Sequence, residues 1–150
     1  MKKDEKKVLL DKIYEKITGL NFDDLERTYK ELISILHEIP YFNWVGIYLV
    51  EGRELVLSYY LGLPTPHKRI RFGRGICGTS AESAESVVVK DVSLEKNYLT
   101  CSEDVKSEIV VPIKSGSDVL GVIDVDSNKI SAFDELDKKM VEKVSKLLSR

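Results

Sequence analysis

"SEIVVPIKSGSDVLGVIDVDS" (residues 107–127) holds two apolar runs on either side of a short polar break. SEIVVPI and VLGVIDVDS are rich in β-branched residues, and KSGSD has the glycine and small polar residues of a turn. The stretch therefore reads as a β-hairpin. Side chains alternate across a sheet, so Ile109, Val111 and Ile113 share one face of the first strand, and Ile123 and Val125 share one face of the second. Burying both sets on the same side fixes the parity of the pairing, because a one-residue slip would turn one set outward. That parity puts Glu108, Asp124 and Asp126 together on the other face. Three carboxylates so placed call for compensation by a bound cation, a ligand ammonium or a retained proton. The plainer alternative is a solvated polar face, common on antiparallel sheets.

Before this hairpin the chain changes period twice. Residues 1–38 carry helical spacing, with Leu9, Ile13 and Ile17 ending at Gly19, then Leu25, Tyr29, Leu32, Ile33 and Leu36 ahead of Pro40. Residues 41–64 are rich in aromatic and β-branched residues and turn at Glu51-Gly52-Arg53, which predicts another hairpin. HKRIRF and SVVVKD read as short strands flanking GRGICGTSAESA, a turn that leads into a short helix. Residues 92–106 have no period, and irregular segments of that length in small domains tend to be functional. A last helix is expected from Ser131, with Ser131 and Asp134 at capping-box spacing and Leu136, Met140, Val144 and Leu147 on one face. The predicted class is α+β: one domain over 1–150, helical at 1–38, sheet and site loops at 41–127, and a C-terminal helix at 131–150.

Composition narrows the function. The 150 residues carry a net charge of -2 with no basic block, which argues against nucleic acid as a partner. No signal-peptide core and no run of about 20 apolar residues is present, so the expectation is a cytoplasmic protein without a membrane partner. The two cysteines, Cys77 and Cys101, do not form a Cys-x-x-Cys pair. A zinc site from Cys77, Cys101, His37 and His67 has scattered spacing, and no convincing metal set or cofactor motif emerges.

Gly73, Gly75 and Gly78 satisfy G-x-G-x-x-G, but hairpins surround them and no βαβ unit is present, so a dinucleotide site is not expected. The better reading is a tight turn presenting Cys77 at a helix N-terminus, where the thiolate is favoured. Cys101 lies among Thr100, Ser102, Glu103 and Asp104, a polar setting unlike that of a buried packing cysteine. Trp44 and Tyr48, four residues apart on a strand, share a face, as core or as one wall of a pocket.

NWVGIYLV, RFGRGICGTSAES, CSEDVKSEIVVPI, GVIDVDS and FDELD together resemble the free methionine-(R)-sulfoxide reductases, single-domain proteins of the GAF fold. The resemblance runs from about residue 20 to the C-terminus. It implies a GAF-like antiparallel sheet with N- and C-terminal helices packed on it. By the same resemblance Cys101 is the catalytic nucleophile and Cys77 a resolving cysteine. Glu108 and Asp126 act in catalysis and, with Asp124, bind substrate, and Trp44 and Tyr48 hold its methyl-sulfoxide end. The implied reaction reduces free methionine-(R)-sulfoxide through a Cys101 sulfenic acid and a Cys77–Cys101 disulfide, recycled by thioredoxin or a similar dithiol. A homodimer through terminal helices is the implied assembly. One position departs from the pattern. Many members carry a third cysteine ten residues before the one matching Cys77, and here that residue is His67. The competing reading is a non-catalytic GAF domain that senses a small ligand such as a nucleotide.

Overall fold

The computed structural model describes residues 1–100 and 102–150; Cys101 lies outside the described residues. Two helices open the chain, α1 (Lys3–Thr18) and α2 (Leu25–Leu36). α1 buries Leu10, Ile13 and Ile17 and stops at Gly19. Asp24 caps α2 by accepting from the Arg27 N–H. Six strands follow: β1 (Trp44–Glu51), β2 (Glu54–Leu61), β3 (Arg69–Arg71), β4 (Val87–Val89), β5 (Ser107–Ser115) and β6 (Asp118–Ser127). A short helix α3 (Gly75–Ser83) joins β3 to β4, and α4 (Glu135–Leu147) closes the fold.

The strands form one antiparallel sheet in the order β3-β2-β1-β6-β5-β4. β1 and β6, distant in sequence, lie side by side at its centre. The expected α+β architecture is therefore observed, with both predicted hairpins in place. The parity argument also holds: β5 and β6 pair Glu108 with Asp126, Ile109 with Val125 and Val111 with Ile123. The register shift in this hairpin falls between Ile113 and Lys114, beyond the acids.

Both faces of the sheet are covered. On one, Ile109, Val111, Ile113, Ile123 and Val125 join Val45 and Ile47 against the apolar stripes of α1, α2 and α4. On the other, a second core gathers Trp44, Tyr48, Leu55, Ile70, Val110 and Val122 with Ile76, Cys77 and Ala81 of α3. Lys6 of α1 reaches the fully buried Asp137 of α4, its Nζ 2.6 Å from Oδ2, while the Tyr41 hydroxyl donates to Asp137 Oδ1 at 2.6 Å. This network ties the two terminal helices together.

The C-terminal helix starts later than expected. Ser131 has a positive φ of 51°, and α4 begins at Glu135. Asp134 is the cap, accepting from the Leu136 and Asp137 N–H groups, and Asp137 returns the bond to the Asp134 N–H. The capping box is thus Asp134 with Asp137 rather than Ser131 with Asp134. A carboxylate is the stronger acceptor at the positive end of a helix, and the Ser131 N–H is already engaged by the Lys90 carbonyl. No helix among the described residues is long and apolar enough to cross a membrane.

Candidate functional site

The three acids do not form a solvated face. Glu108 is 5% exposed, Asp124 3% and Asp126 1%, on the face where α3, Val92 and Val105 pack. β5 supplies Glu108 and β6 supplies Asp124 and Asp126, which point the same way because they are two residues apart on one strand. Glu108 is in hydrogen-bonding contact with both aspartates. Such contacts between carboxyls need a shared proton, and among the described residues no basic side chain offsets Asp124 or Asp126. Burial raises both aspartates above the usual carboxylate range, and Asp126, which also feels the charge of Asp124, is pushed well above it. One oxygen on each, Asp124 Oδ1 and Asp126 Oδ1, is buried without a hydrogen-bond partner among the described residues. Deprived of water and of protein donors, such atoms are costly unless a ligand satisfies them.

Cys77 belongs to this cluster. It lies in the first turn of α3, 4% exposed, with its thiol in hydrogen-bonding contact with Asp124. Ligand atoms of Cys77, Glu108 and Asp124 all lie within 4.8 Å of one another. The expected stabilisation of a Cys77 thiolate by the helix N-terminus is overturned. Burial pushes the thiol well above its usual value, and the negative charges of Asp124, Glu108 and Asp126 push it further. A weak helix dipole does not offset loss of water and three nearby acids.

The glycine motif now has a structural reason. Gly73 and Gly75 have φ of +83° and +66°, values that non-glycine residues rarely adopt. Gly78 packs against the Arg71 carbonyl, where a Cβ would collide with the backbone. The turn therefore brings β3 into α3 tightly and delivers Cys77 to the acids, without any dinucleotide.

Trp44 and Tyr48 lie on the acid side of the sheet and are buried, 5% and 1% exposed. Trp44 pairs with Asp126 across β1 and β6 and stacks on Tyr60 at 5.5 Å between ring centroids. Its indole N–H donates to the Leu63 carbonyl at 3.0 Å. With Asn43, Leu63, Pro64, Ser102 and Val105, Trp44 and Asp126 line a cavity of about 60 Å³. Tyr48 sits deeper, and its hydroxyl donates to the His67 carbonyl at 2.8 Å.

Two residues went unremarked in the sequence reading. Gly46, opposite Asp124, leaves room for the Trp44 ring, which a Cβ would strike. A glycine inside an apolar strand is the signal for such a close approach. Asn97 clamps the irregular segment onto α3. Its Oδ1 accepts from the Gly75 N–H at 2.9 Å, and its Nδ2 donates to the Gly73 carbonyl at 3.2 Å and to Thr79 Oγ1 at 3.1 Å. Nothing in local periodicity marks that residue. Further along, His67 Nε2 bonds the Thr100 carbonyl. Cys101, the candidate nucleophile, follows Thr100 and lies outside the described residues. His37 ends α2 with its Nε2 3.2 Å from the Asn43 carbonyl, so neither histidine joins the cluster around Cys77.

An antiparallel six-stranded sheet with helices packed on it is the frame of a GAF domain, and the GAF domain family model matches residues 23–150. GAF domain-containing protein A of Dictyostelium discoideum is 44% identical over 108 residues, 71% of this chain and 68% of that protein. The free methionine-R-sulfoxide reductase of Saccharomyces cerevisiae is 39% identical over 112 residues, 72% of this chain but only 62% of the yeast protein's length. The X-ray structure of free methionine-R-sulfoxide reductase from Neisseria meningitidis in complex with its substrate superimposes with a TM-score of 0.83 at 35% identity, covering 93% of this chain and 83% of that one. The chain belongs to the GAF domain family and, within it, to the free methionine-(R)-sulfoxide reductases.

Proposed function

We propose that this chain reduces free methionine-(R)-sulfoxide to methionine, with Cys101 as the nucleophile. The observation that carries the reading is the buried carboxyl trio with two unpartnered oxygens beside an aromatic wall. Such a site suits a ligand that brings a cation and an oxygen to be protonated. A free amino acid sulfoxide brings both. A nucleotide would bring phosphate charge against three acids, which disfavours the sensor reading.

In the proposed chemistry the Cys101 thiolate attacks the sulfoxide sulfur. Asp126, held protonated by burial and by Asp124, donates to the oxygen as negative charge develops on it. Glu108 and Asp124 face the substrate ammonium, and Trp44 and Tyr48 pack the methyl-sulfoxide end. Collapse releases methionine and leaves the former sulfoxide oxygen on Cys101 as a sulfenic acid: the substrate sulfur gains two electrons and Cys101 loses two. Cys77 then attacks the Cys101 sulfur, water leaves and a disulfide forms. An external dithiol such as thioredoxin returns both thiols. The cavity of about 60 Å³ is far below the roughly 300–1,000 Å³ of ligand clefts, so admission of an amino acid needs its rim of Leu63, Pro64 and Ser102 to shift outward. A cytoplasmic location and a homodimer complete the reading.

The test is loss of free methionine-(R)-sulfoxide in the presence of dithiothreitol, with Cys101→Ser as the paired control. Turnover by the parent and none by a folded Cys101→Ser is expected. Equal rates from the two would overturn the assignment of the nucleophile, and no turnover by the parent would overturn the activity.

A further inference from the structure

We propose that Cys77, Glu108 and Asp124 form an internal binding site for a single thiophilic divalent cation, for which Zn²⁺ or Cd²⁺ is the appropriate class. Read from sequence, the three acids left a bound cation as one of three ways to compensate their charge. Folding adds a sulfur from α3 to two carboxylates from β5 and β6, and a thiolate with carboxylates suits borderline and soft ions.

The geometry is close to a three-ligand set. Donor atoms from the three residues lie within 4.8 Å of one another. Tetrahedral bonds of about 2.0–2.3 Å separate neighbouring donors by roughly 3.5 Å, so an inward movement of about 1 Å closes the set. All three side chains sit on secondary structure rather than on loops, which limits how far they can spread apart.

A second feature points to a cation. Asp126 is 1% exposed, contacts Glu108, and holds its Oδ1 buried with no hydrogen-bond partner; Asp124 Oδ1 is in the same condition. An ion bound by the trio would offset a concentration of negative charge that, among the described residues, has no basic partner at either aspartate.

The proposed ligand set is drawn from the described residues and does not include the candidate nucleophile. The consequence of binding for the proposed reaction is inhibition, since the ion would cap Cys77 and occupy the acids.

The experiment is a Cd²⁺ titration of the reduced full-length Cys101→Ser variant, in which Cys77 is the sole thiol, followed by the ultraviolet charge-transfer band of the cadmium–thiolate bond. A band that saturates at one equivalent is expected. Adding Cys77→Ser is expected to abolish it, and adding Asp124→Asn or Glu108→Gln to weaken binding at least tenfold while the band remains. Thermal unfolding without metal checks that each variant is folded. The proposal is overturned if Cys101→Ser gives no saturable band. It is equally overturned if a folded Asp124→Asn or Glu108→Gln variant binds as tightly as its parent.

Discussion

His67 Nε2 lies 3.0 Å from the carbonyl oxygen of Thr100, the residue immediately before Cys101. A carbonyl only accepts, so the ring carries its proton on Nε2. The backbone carbonyl of the same histidine accepts from the buried Tyr48 hydroxyl. His67 therefore links the aromatic wall to the segment that carries the candidate nucleophile. Because it is a positioning residue, His67→Ala is expected to lower kcat for methionine release about five- to tenfold, equivalent to losing one hydrogen bond of about 1 kcal/mol. KM is expected to change little, and His67→Gln, which keeps a donor, to recover part of the loss. Single-turnover kinetics on the three proteins checks this; an unchanged kcat in His67→Ala would remove the role.

Cys77 is expected to be slow to ionise. Its raised thiol predicts sluggish alkylation at neutral pH, accelerating as pH rises, because only the thiolate reacts. Disulfide formation after one turnover is expected to follow the same trend. Cys77→Ser is expected to release one equivalent of methionine and then fail to cycle with thioredoxin. Mass spectrometry after substrate without reductant separates the outcomes: a lasting sulfenic acid in the parent would show that Cys77 does not resolve it.

Asp126 is predicted to trade stability for function. Its folded-state value is raised, so its protonated form favours the fold at low pH, and that contribution is lost as pH rises through the folded value. Asp126→Asn removes the penalty. The variant is expected to melt a few degrees higher at neutral pH, at about 2–4 °C per kcal/mol, with little gain at acidic pH. Its activity is expected to fall at least tenfold. Scanning calorimetry at two pH values checks the sign, and a lower melting temperature at neutral pH would contradict it.

The Lys6–Asp137–Tyr41 network makes a prediction away from the site. Tyr41→Phe leaves Asp137 Oδ1 without its 2.6 Å donor in a fully buried position. A loss of about 1–3 kcal/mol is expected in denaturant unfolding, with KM unchanged.

Free substrate is expected to be strongly preferred over its N-acetyl derivative, because acetylation removes the ammonium that the three acids would face. Comparable kcat/KM for the two would separate the acids from amine recognition.

Much of this architecture was legible along the chain because it depends on short-range period. Alternation in residues 107–127 set the hairpin and, through burial of Ile109, Val111, Ile123 and Val125, brought Glu108 to the face of the two aspartates. The same logic put Trp44 and Tyr48 on one side of β1 and placed the helices at either end. The sequence could not say whether that acidic face met water. This was decided by α3 with Val92, Tyr98, Leu99 and Val105 packing on that face, contacts between residues far apart in the chain. The cover turned a polar face into a buried carboxyl cluster, reversed the expected effect on the Cys77 thiol, and gave Asn97 and His67 roles that no periodicity announces. A repeat of two or 3.6 residues encodes which way a side chain points. What it points at, and so its charge state, depends on desolvation and neighbours that only the assembled fold supplies.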